Sequence, residues 1–125
     1  NEVGQAVEKS IRNSGRYGIL QDYIGHGVGR SMHEDPAVFN YQTRDLGPVV
    51  EPGLVIAIEP MITVGSEKVR ILADEWTIST KDGSDGSHWE HTVALHSGGI
   101  WVLTAEDGGE AGLAKYGLKP VPVNL

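Results

Sequence analysis

Four residues in this sequence are the main candidates for binding a metal or moving a proton: His26, His33, Glu59 and Glu90. Glu59 interrupts an otherwise apolar run at residues 54–64. Burying an ionised carboxylate without a partner is costly, so this charge must be compensated. A divalent cation would do so, since hard cations prefer oxygen ligands. The alternative is a carboxylate that bonds to backbone, or that tips outward where Pro60 ends a strand.

The other three residues are weaker candidates when each is taken alone. Glu90 lies in a predicted strand, where a solvated strand face is an equally good interpretation. His26 stands in the sequence GHGVGR at residues 25–30, whose glycines permit close approach of the backbone to a ligand. A single histidine is nevertheless more often structural than ligating. One imidazole and two carboxylates together suit a site for Mn, Fe, Co or Zn.

Several familiar motifs are absent from the sequence. Arg30 breaks the glycine pattern of a dinucleotide-binding turn, and Ala37 stands where the helical zinc-protease motif beginning at His33 would need a second histidine. A phosphate-binding loop and a nucleophile elbow are also missing. Composition and spacing alone lead no further than an oxygen-rich metal site formed by one histidine and two glutamates on strands.

The predicted elements that must position these residues are mostly strands. Apolar residues at four-residue steps predict a helix that ends near Gly15. Alternation and turn residues predict strands at residues 17–24, 69–72, 76–80, 89–96 and 100–103. The whole predicts the α+β class, with a mainly antiparallel sheet and a flanking helix.

Three segments in combination resemble the type I methionine aminopeptidases: GHGVGRSMHEDP at residues 25–36, IEPM at 58–61 and WEHT at 89–92. The resemblance extends from about residue 1 to residue 104. It implies the second half of a pita-bread (creatinase/aminopeptidase) fold. Residues 1–104 would form the C-terminal half of the peptidase catalytic domain, and residues 105–125 an irregular or disordered tail.

The resemblance also implies the ligands of a two-metal site. His26, Glu59 and Glu90 match the family's histidine and two glutamates, with Glu90 bridging the ions. Two aspartate ligands belong to the first half of the fold, and neither Asp22 nor Asp35 matches them. The implied cofactors are two divalent ions per complete site, of Co, Mn, Fe or Zn.

Catalytic and substrate-binding roles follow from the same resemblance. His33 matches the histidine that contacts the scissile amide, and Glu59 would carry a proton to the leaving amine. Met32 and Trp76 match positions that, with His33, bind the substrate and line the pocket for its methionine side chain. Position 32 is commonly Phe in the family, so this contact is altered but remains apolar.

The implied function is removal of the N-terminal methionine from nascent proteins and peptides, by a hydroxide that bridges the two ions. The expected partners are such an N-terminus, and either the missing N-terminal half of the same protein or a second copy of this chain. We expect the chain alone to be inactive, because two aspartate ligands are missing. Two alternatives stay open: a catalytically dead pita-bread domain that binds proteins, and an unrelated β-rich metal-binding module.

Composition narrows the class of protein further. The 125 residues carry a net charge of −7, which argues against a nucleic-acid binder. No run of about 18 apolar residues predicts a membrane span. The absence of cysteine fits a cytoplasmic location. Because the chain starts at Asn1 rather than at methionine, we expect it to be a piece of a longer protein.

Overall fold

A computed structural model describes residues 1–123, which form two helices and ten strands. The helices are α1 (Glu2–Ser14) and α2 (Glu110–Ala114). The strands are β1 (Gly18–Ile19), β2 (Gly25–Gly27), β3 (Glu34–Val38), β4 (Val55–Ile58), β5 (Met61–Thr63), β6 (Val69–Ile71), β7 (Ile78–Thr80), β8 (Gly86–His88), β9 (His91–His96) and β10 (Gly99–Val102). Neither helix is long and apolar enough to cross a membrane.

The strands form three antiparallel sheets. The largest has the order β10-β9-β4-β2-β3, a second has the order β1-β5-β8, and the third pairs β6 with β7. Strand β4 is central in the largest sheet, and its Ile56 and Ala57 are only 5% and 0% exposed. The other buried apolar residues are Ile19, Leu20, Val38 and Ala94. The predicted α+β class, with its mainly antiparallel sheet, is confirmed.

One long hairpin runs through all three sheets and positions the site. Strands β4, β5 and β6 lead outward, and β7, β8 and β9 return along them. Paired positions along it are Ile58 with His91, Met61 with His88, and Ile71 with Ile78. The register is the same in all three pairs, so neither strand gains or loses a residue between the sheets. Continuing that register places Glu59 directly opposite Glu90.

Helix α1 lies close against the segment that follows β3. It ends as predicted, with Gly15 as its C-terminal cap residue. Gly4 is buried, and a Cβ atom at this position would lie 2.5 Å from the carbonyl oxygen of Tyr41. The carboxylate of Glu8 accepts a 2.9 Å hydrogen bond from the backbone N–H of Gln42. The absence of a side chain at Gly4 therefore permits this close helix packing.

The strand predicted at residues 17–24 is wrong beyond β1. Past Leu20, the backbone oxygens bond to side chains instead of to a neighbouring strand. The carbonyl of Gln21 accepts a 3.0 Å hydrogen bond from the Tyr41 hydroxyl, and that of Tyr23 accepts one of 3.2 Å from the Asn40 amide. These side-chain bonds take the place of a sheet ladder.

The strand predicted at residues 76–80 is reduced to β7. Asp74 accepts hydrogen bonds from the backbone N–H groups of Trp76 (3.1 Å) and Thr77 (2.9 Å). Such turn bonds compete with strand pairing, so Trp76 lies in the turn between β6 and β7. Hydrogen bonds from the Thr77 side chain and then from these backbone groups lower the pKa of Asp74.

The predicted tail contains the short helix α2 and an attachment to the hairpin formed by β9 and β10. The backbone N–H of Val121 donates a 2.9 Å hydrogen bond to the Ile100 carbonyl. Nε2 of His96 lies 2.8 Å from the carbonyl oxygen of Val121. The division of the chain at residue 104 stays a prediction. The last two residues of the predicted tail, 124 and 125, lie outside the described residues.

Candidate metal centre

The three predicted metal ligands converge on one point. His26, Glu59 and Glu90 each offer a ligand atom, and these atoms all lie within 4.8 Å of one another. His26 comes from β2, Glu59 from the junction of β4 with β5, and Glu90 from the junction of β8 with β9. Their convergence counts against the alternative of an unrelated module in which they lie apart. Their role as ligands stays a prediction.

Glu59 and Glu90 occupy a break that the hairpin makes at the same level in both strands. Pro60 has no N–H and cannot donate to the ladder, so β4 ends at Ile58 and β5 begins after the proline. The prediction that Glu90 lies within a strand is wrong, because Trp89 and Glu90 face this break between β8 and β9. Both carboxylates are thereby released from regular pairing but stay opposite each other.

Two like charges in opposed positions of an antiparallel pair destabilise the pair. The Glu59 side chain is only 15% accessible, whereas Glu90 is exposed. The repulsion between the two carboxylates therefore follows from the backbone register, and the Glu59 side chain does not escape it by turning out into solvent. A cation between the two carboxylates converts the repulsion into attraction.

The orientation of the His26 ring fits the same cation. Its Nδ1 lies 2.8 Å from the carbonyl oxygen of Gly27, which accepts a hydrogen bond from Nδ1–H. The other ring nitrogen, Nε2, faces Oε1 of Glu59 at 3.3 Å. A cation placed between these two atoms would be bound by both. An imidazole whose other nitrogen is fixed by a carbonyl is the usual arrangement of a metal-binding histidine.

The donor set therefore fits a divalent ion of the first transition series. One neutral imidazole nitrogen and two carboxylates combine ligands accepted by Mn, Fe, Co and Zn. Three protein donors leave coordination positions open for water or for further ligands, as in catalytic rather than structural sites.

His33 lies beside the three converging residues. Its ring centroid is 4.4 Å from that of His26, in an edge-to-face arrangement, although the side chain itself is exposed. Met32 and Trp76 are 74% and 86% exposed, so neither lies in an enclosed pocket. The substrate-binding roles of these three residues stay predictions.

His88 is a site residue that the sequence interpretation missed. Its Nε2 lies 3.3 Å from Oε2 of Glu59, and the side chain is 43% accessible. His88 sits on β8 opposite Met61 and two residues before Glu90. Alternation along a strand puts such residues on one face, which was the available signal. It was overlooked because the predicted strand began at residue 89.

His91 lies next to Glu90 in sequence but bonds elsewhere. Its Nδ1 is 2.8 Å from the hydroxyl oxygen of Thr104, and the same oxygen accepts a 3.0 Å hydrogen bond from the backbone N–H of Thr92. These contacts tie β9 to Thr104, the second residue after the end of β10. Alternation of side chains along this segment predicts that His91 faces away from Glu90 and is structural. The contacts agree with that role, which remains a prediction.

The chain resembles known proteins over most of its length. The model of metallopeptidase family M24 matches residues 1–97. Methionine aminopeptidase 1 of Bacillus subtilis (strain 168) is 40% identical over 104 residues, which are 83% of this chain and 42% of that protein. Methionine aminopeptidase 1 of Mycobacterium tuberculosis is 45% identical over 108 residues, covering 82% of this chain and 41% of the relative.

Solved structures of similar proteins share the fold. Methionine aminopeptidase from Thermotoga maritima aligns with a TM-score of 0.75 at 40% identity, over 82% of this chain and 41% of the other. The enzyme from Rickettsia prowazekii aligns with a TM-score of 0.74 at 31% identity and the same coverage. The predicted pita-bread fold is confirmed, and the chain spans about two-fifths of the length of these relatives. On the match of the family model to most of its residues, this chain belongs to metallopeptidase family M24.

Proposed function

We propose that this chain supplies the second half of the active site of a metal-dependent aminopeptidase that removes N-terminal methionine from nascent proteins and peptides. The observation that carries the proposal is the opposition of Glu59 and Glu90 beside the free nitrogen of His26. Family membership and the names of the similar proteins supply the reaction class. The proposed location is the cytoplasm.

His26, Glu59 and Glu90 would hold two divalent ions, of Co, Mn, Fe or Zn, together with two aspartates from outside this chain. When bound, such ions lower the pKa of water and polarise a substrate carbonyl. The family resemblance implies that Glu90 would be the ligand shared by both ions, and its position opposite Glu59 on the returning strand supports that role. His26 offers a single ligand nitrogen and would hold one ion only.

Glu59 would also move the proton of the reaction. A carboxylate in direct reach of the attacking water accepts its proton and passes it to the leaving amine. The low accessibility of Glu59 strengthens these electrostatic interactions, because little solvent screens them. His33, held edge-on against His26, would donate a hydrogen bond to the scissile amide.

Met32 and Trp76 would contact the methionine side chain of the substrate. Both are large apolar residues that the chain leaves exposed. A thioether fills an apolar pocket adaptably and makes favourable contacts with aromatic rings. We propose that the pocket closes around them only in the complete protein.

The proposed partner of this chain is the missing N-terminal half of the fold. Leu46 and Val49 are 76% and 79% exposed and line an apolar cavity of about 810 Å³ beside α1 and β3. Apolar surface of this kind is normally covered in a complete protein. The chain spans only about two-fifths of its relatives, so a covering segment of the same protein is the expected occupant. A dimer on gel filtration would instead assign the surface to a second copy.

The competing function is a catalytically dead pita-bread domain that binds proteins. Such a domain has no need to retain metal ligands, yet this chain keeps all three that its half would supply. No feature of the described residues favours this alternative.

Two measurements test the proposal. Elemental analysis should find Co or Mn in the purified chain after loading, and Glu90→Ala should remove most of it while the neighbouring His91→Ala retains it. The chain alone should not hydrolyse Met-Ala-Ser, whereas a mixture with the N-terminal half of a similar enzyme should. Unchanged metal content in Glu90→Ala would overturn the site, and turnover by the chain alone would overturn the need for a second half.

A further inference from the structure

We propose that His88 is a positioning residue that fixes the carboxylate of Glu59 for metal binding without binding the metal itself. The inference deepens the proposed function and rests on the same site. It concerns a residue that the sequence motifs do not include.

The register of the hairpin places two histidines on either side of Glu59. His26 on β2 pairs with Ala57, and His88 on β8 pairs with Met61, so each stands two positions from Glu59 on the same sheet face. Diagonal neighbours of this kind are within reach of long side chains. The two rings therefore approach Glu59 from opposite ends of its strand.

Each ring takes a different oxygen of the carboxylate. Nε2 of His26 lies 3.3 Å from Oε1, and Nε2 of His88 lies 3.3 Å from Oε2. We infer that Nε2 of His88 approaches Oε2 as a proton-bearing nitrogen at polar-contact distance, whereas Nε2 of His26 faces the metal position. The carboxylate thus has one oxygen in contact with His88 and the other left for the cation.

His88 lies outside the group of converging ligand atoms. That group, among residues 1–123, comprises His26, Glu59 and Glu90. The His88 side chain is 43% accessible, whereas those of His26 and Glu59 are each 15% accessible. His88 therefore approaches Glu59 from the solvent side. This position fits a residue that supports a metal ligand and does not itself bind the metal.

The benefit is preorganisation. A glutamate loses rotamer freedom when it binds a metal, and a contact that already fixes its carboxylate reduces that loss. Hydrogen-bonding partners of ligating groups typically change metal affinity about 10- to 100-fold when they are removed. We expect His88 to act in this range.

The test compares four variants of the whole chain by titration with Co²⁺ against a chelator of known affinity. His88→Leu keeps bulk but removes the donor, and should weaken Co²⁺ binding about 10-fold or more. His88→Gln restores an N–H donor and should recover most of the affinity. His96→Ala, which removes a histidine bonded to Val121, should match wild type. His26→Ala should abolish binding.

The absorption bands of bound Co²⁺ separate positioning from ligation. At saturating Co²⁺, His88→Leu should keep the band positions and intensities of wild type, because the ligands are unchanged. Altered bands would make His88 a ligand, and wild-type affinity in His88→Leu would leave it without a role. Either result overturns this inference while loss of binding in His26→Ala upholds the proposed site. Retained binding in His26→Ala, or none by wild type, overturns both.

Discussion

Glu90→Gln should stabilise the metal-free chain and at the same time remove its stabilisation by metal. The substitution keeps the size of the side chain but removes one of the two opposed charges. Ligand atoms of Glu59 and Glu90 lie no more than 4.8 Å apart. At that separation two unit charges repel by about 3.5 kcal/mol at an effective dielectric constant of about 20, and by about 0.9 kcal/mol in water.

The expected gain lies between these limits. Glu90 is exposed and solvent screens part of the repulsion, so we expect about 1–2 kcal/mol of added unfolding free energy. For a chain of this size that corresponds to a rise in Tm of about 4–8 °C. The rise should shrink in high salt, which screens exposed charges.

Metal should stabilise wild type much more than it stabilises Glu90→Gln. Saturation of wild type at 100 times the Kd adds about 2.7 kcal/mol, or roughly 10 °C in Tm. Glu90→Gln should show little of this shift at the same metal concentration.

Thermal unfolding followed by circular dichroism, at pH 8 with and without Mn²⁺, gives both quantities. Glu106→Gln, at an exposed glutamate beyond the hairpin, controls for the change of net charge alone. The reasoning fails if Glu90→Gln lowers the Tm of the metal-free chain, or if Mn²⁺ shifts its Tm as much as that of wild type.

Three further predictions concern other parts of the chain. His91→Ala should leave Co²⁺ affinity within about threefold of wild type, because His91 is proposed to be structural and not a ligand. A loss of affinity as complete as in His26→Ala would contradict that role. Hydrogen bonds, foremost from the backbone N–H of Ser66, lower the pKa of Asp82 to about 2. Asp82 therefore stabilises the fold above pH 3.8, and this contribution is lost as pH falls through about 2. In urea titrations, Asp82→Asn should be less stable than wild type at neutral pH, and the difference in unfolding free energy should vanish near pH 2. Gly4→Ala should destabilise the chain by about 1–3 kcal/mol in urea, as the new Cβ meets Tyr41, and an unchanged midpoint would refute that packing.

The residues that converge in the structure were easier to select from the sequence than the elements that hold them. Glu59 was recognisable because a charge in an apolar run needs a partner, and Glu90 and His26 because of the segments around them. The bounds of the strands were harder to predict, because two local effects override strand propensity. The missing N–H of Pro60 leaves its pairing with Trp89 only one long bond, 3.4 Å from the Trp89 N–H to the Pro60 carbonyl, and the carboxylate of Asp74 diverts the backbone that precedes β7.

His88 shows why the rest was out of reach. Its contact with Glu59 depends on the register between β5 and β8, and no residue near His88 gives a sequence signal from which that register could be predicted. The short helix α2 and the attachment of Val121 to Ile100 are similar, because both arise from tertiary contacts in a stretch with weak periodicity.

The unbroken register of the hairpin also bears on how the chain folds. The turn around Asp74 is closed by local bonds, and pairing can then extend from it one residue at a time. Hairpins form in roughly 1–10 μs, much faster than contacts that need a search through the whole chain. Glu59 and Glu90 are far apart in sequence, yet we expect zippering from that turn to bring them together without a search through the rest of the chain. The two carboxylates would then meet before the outer strands of the larger sheet pair.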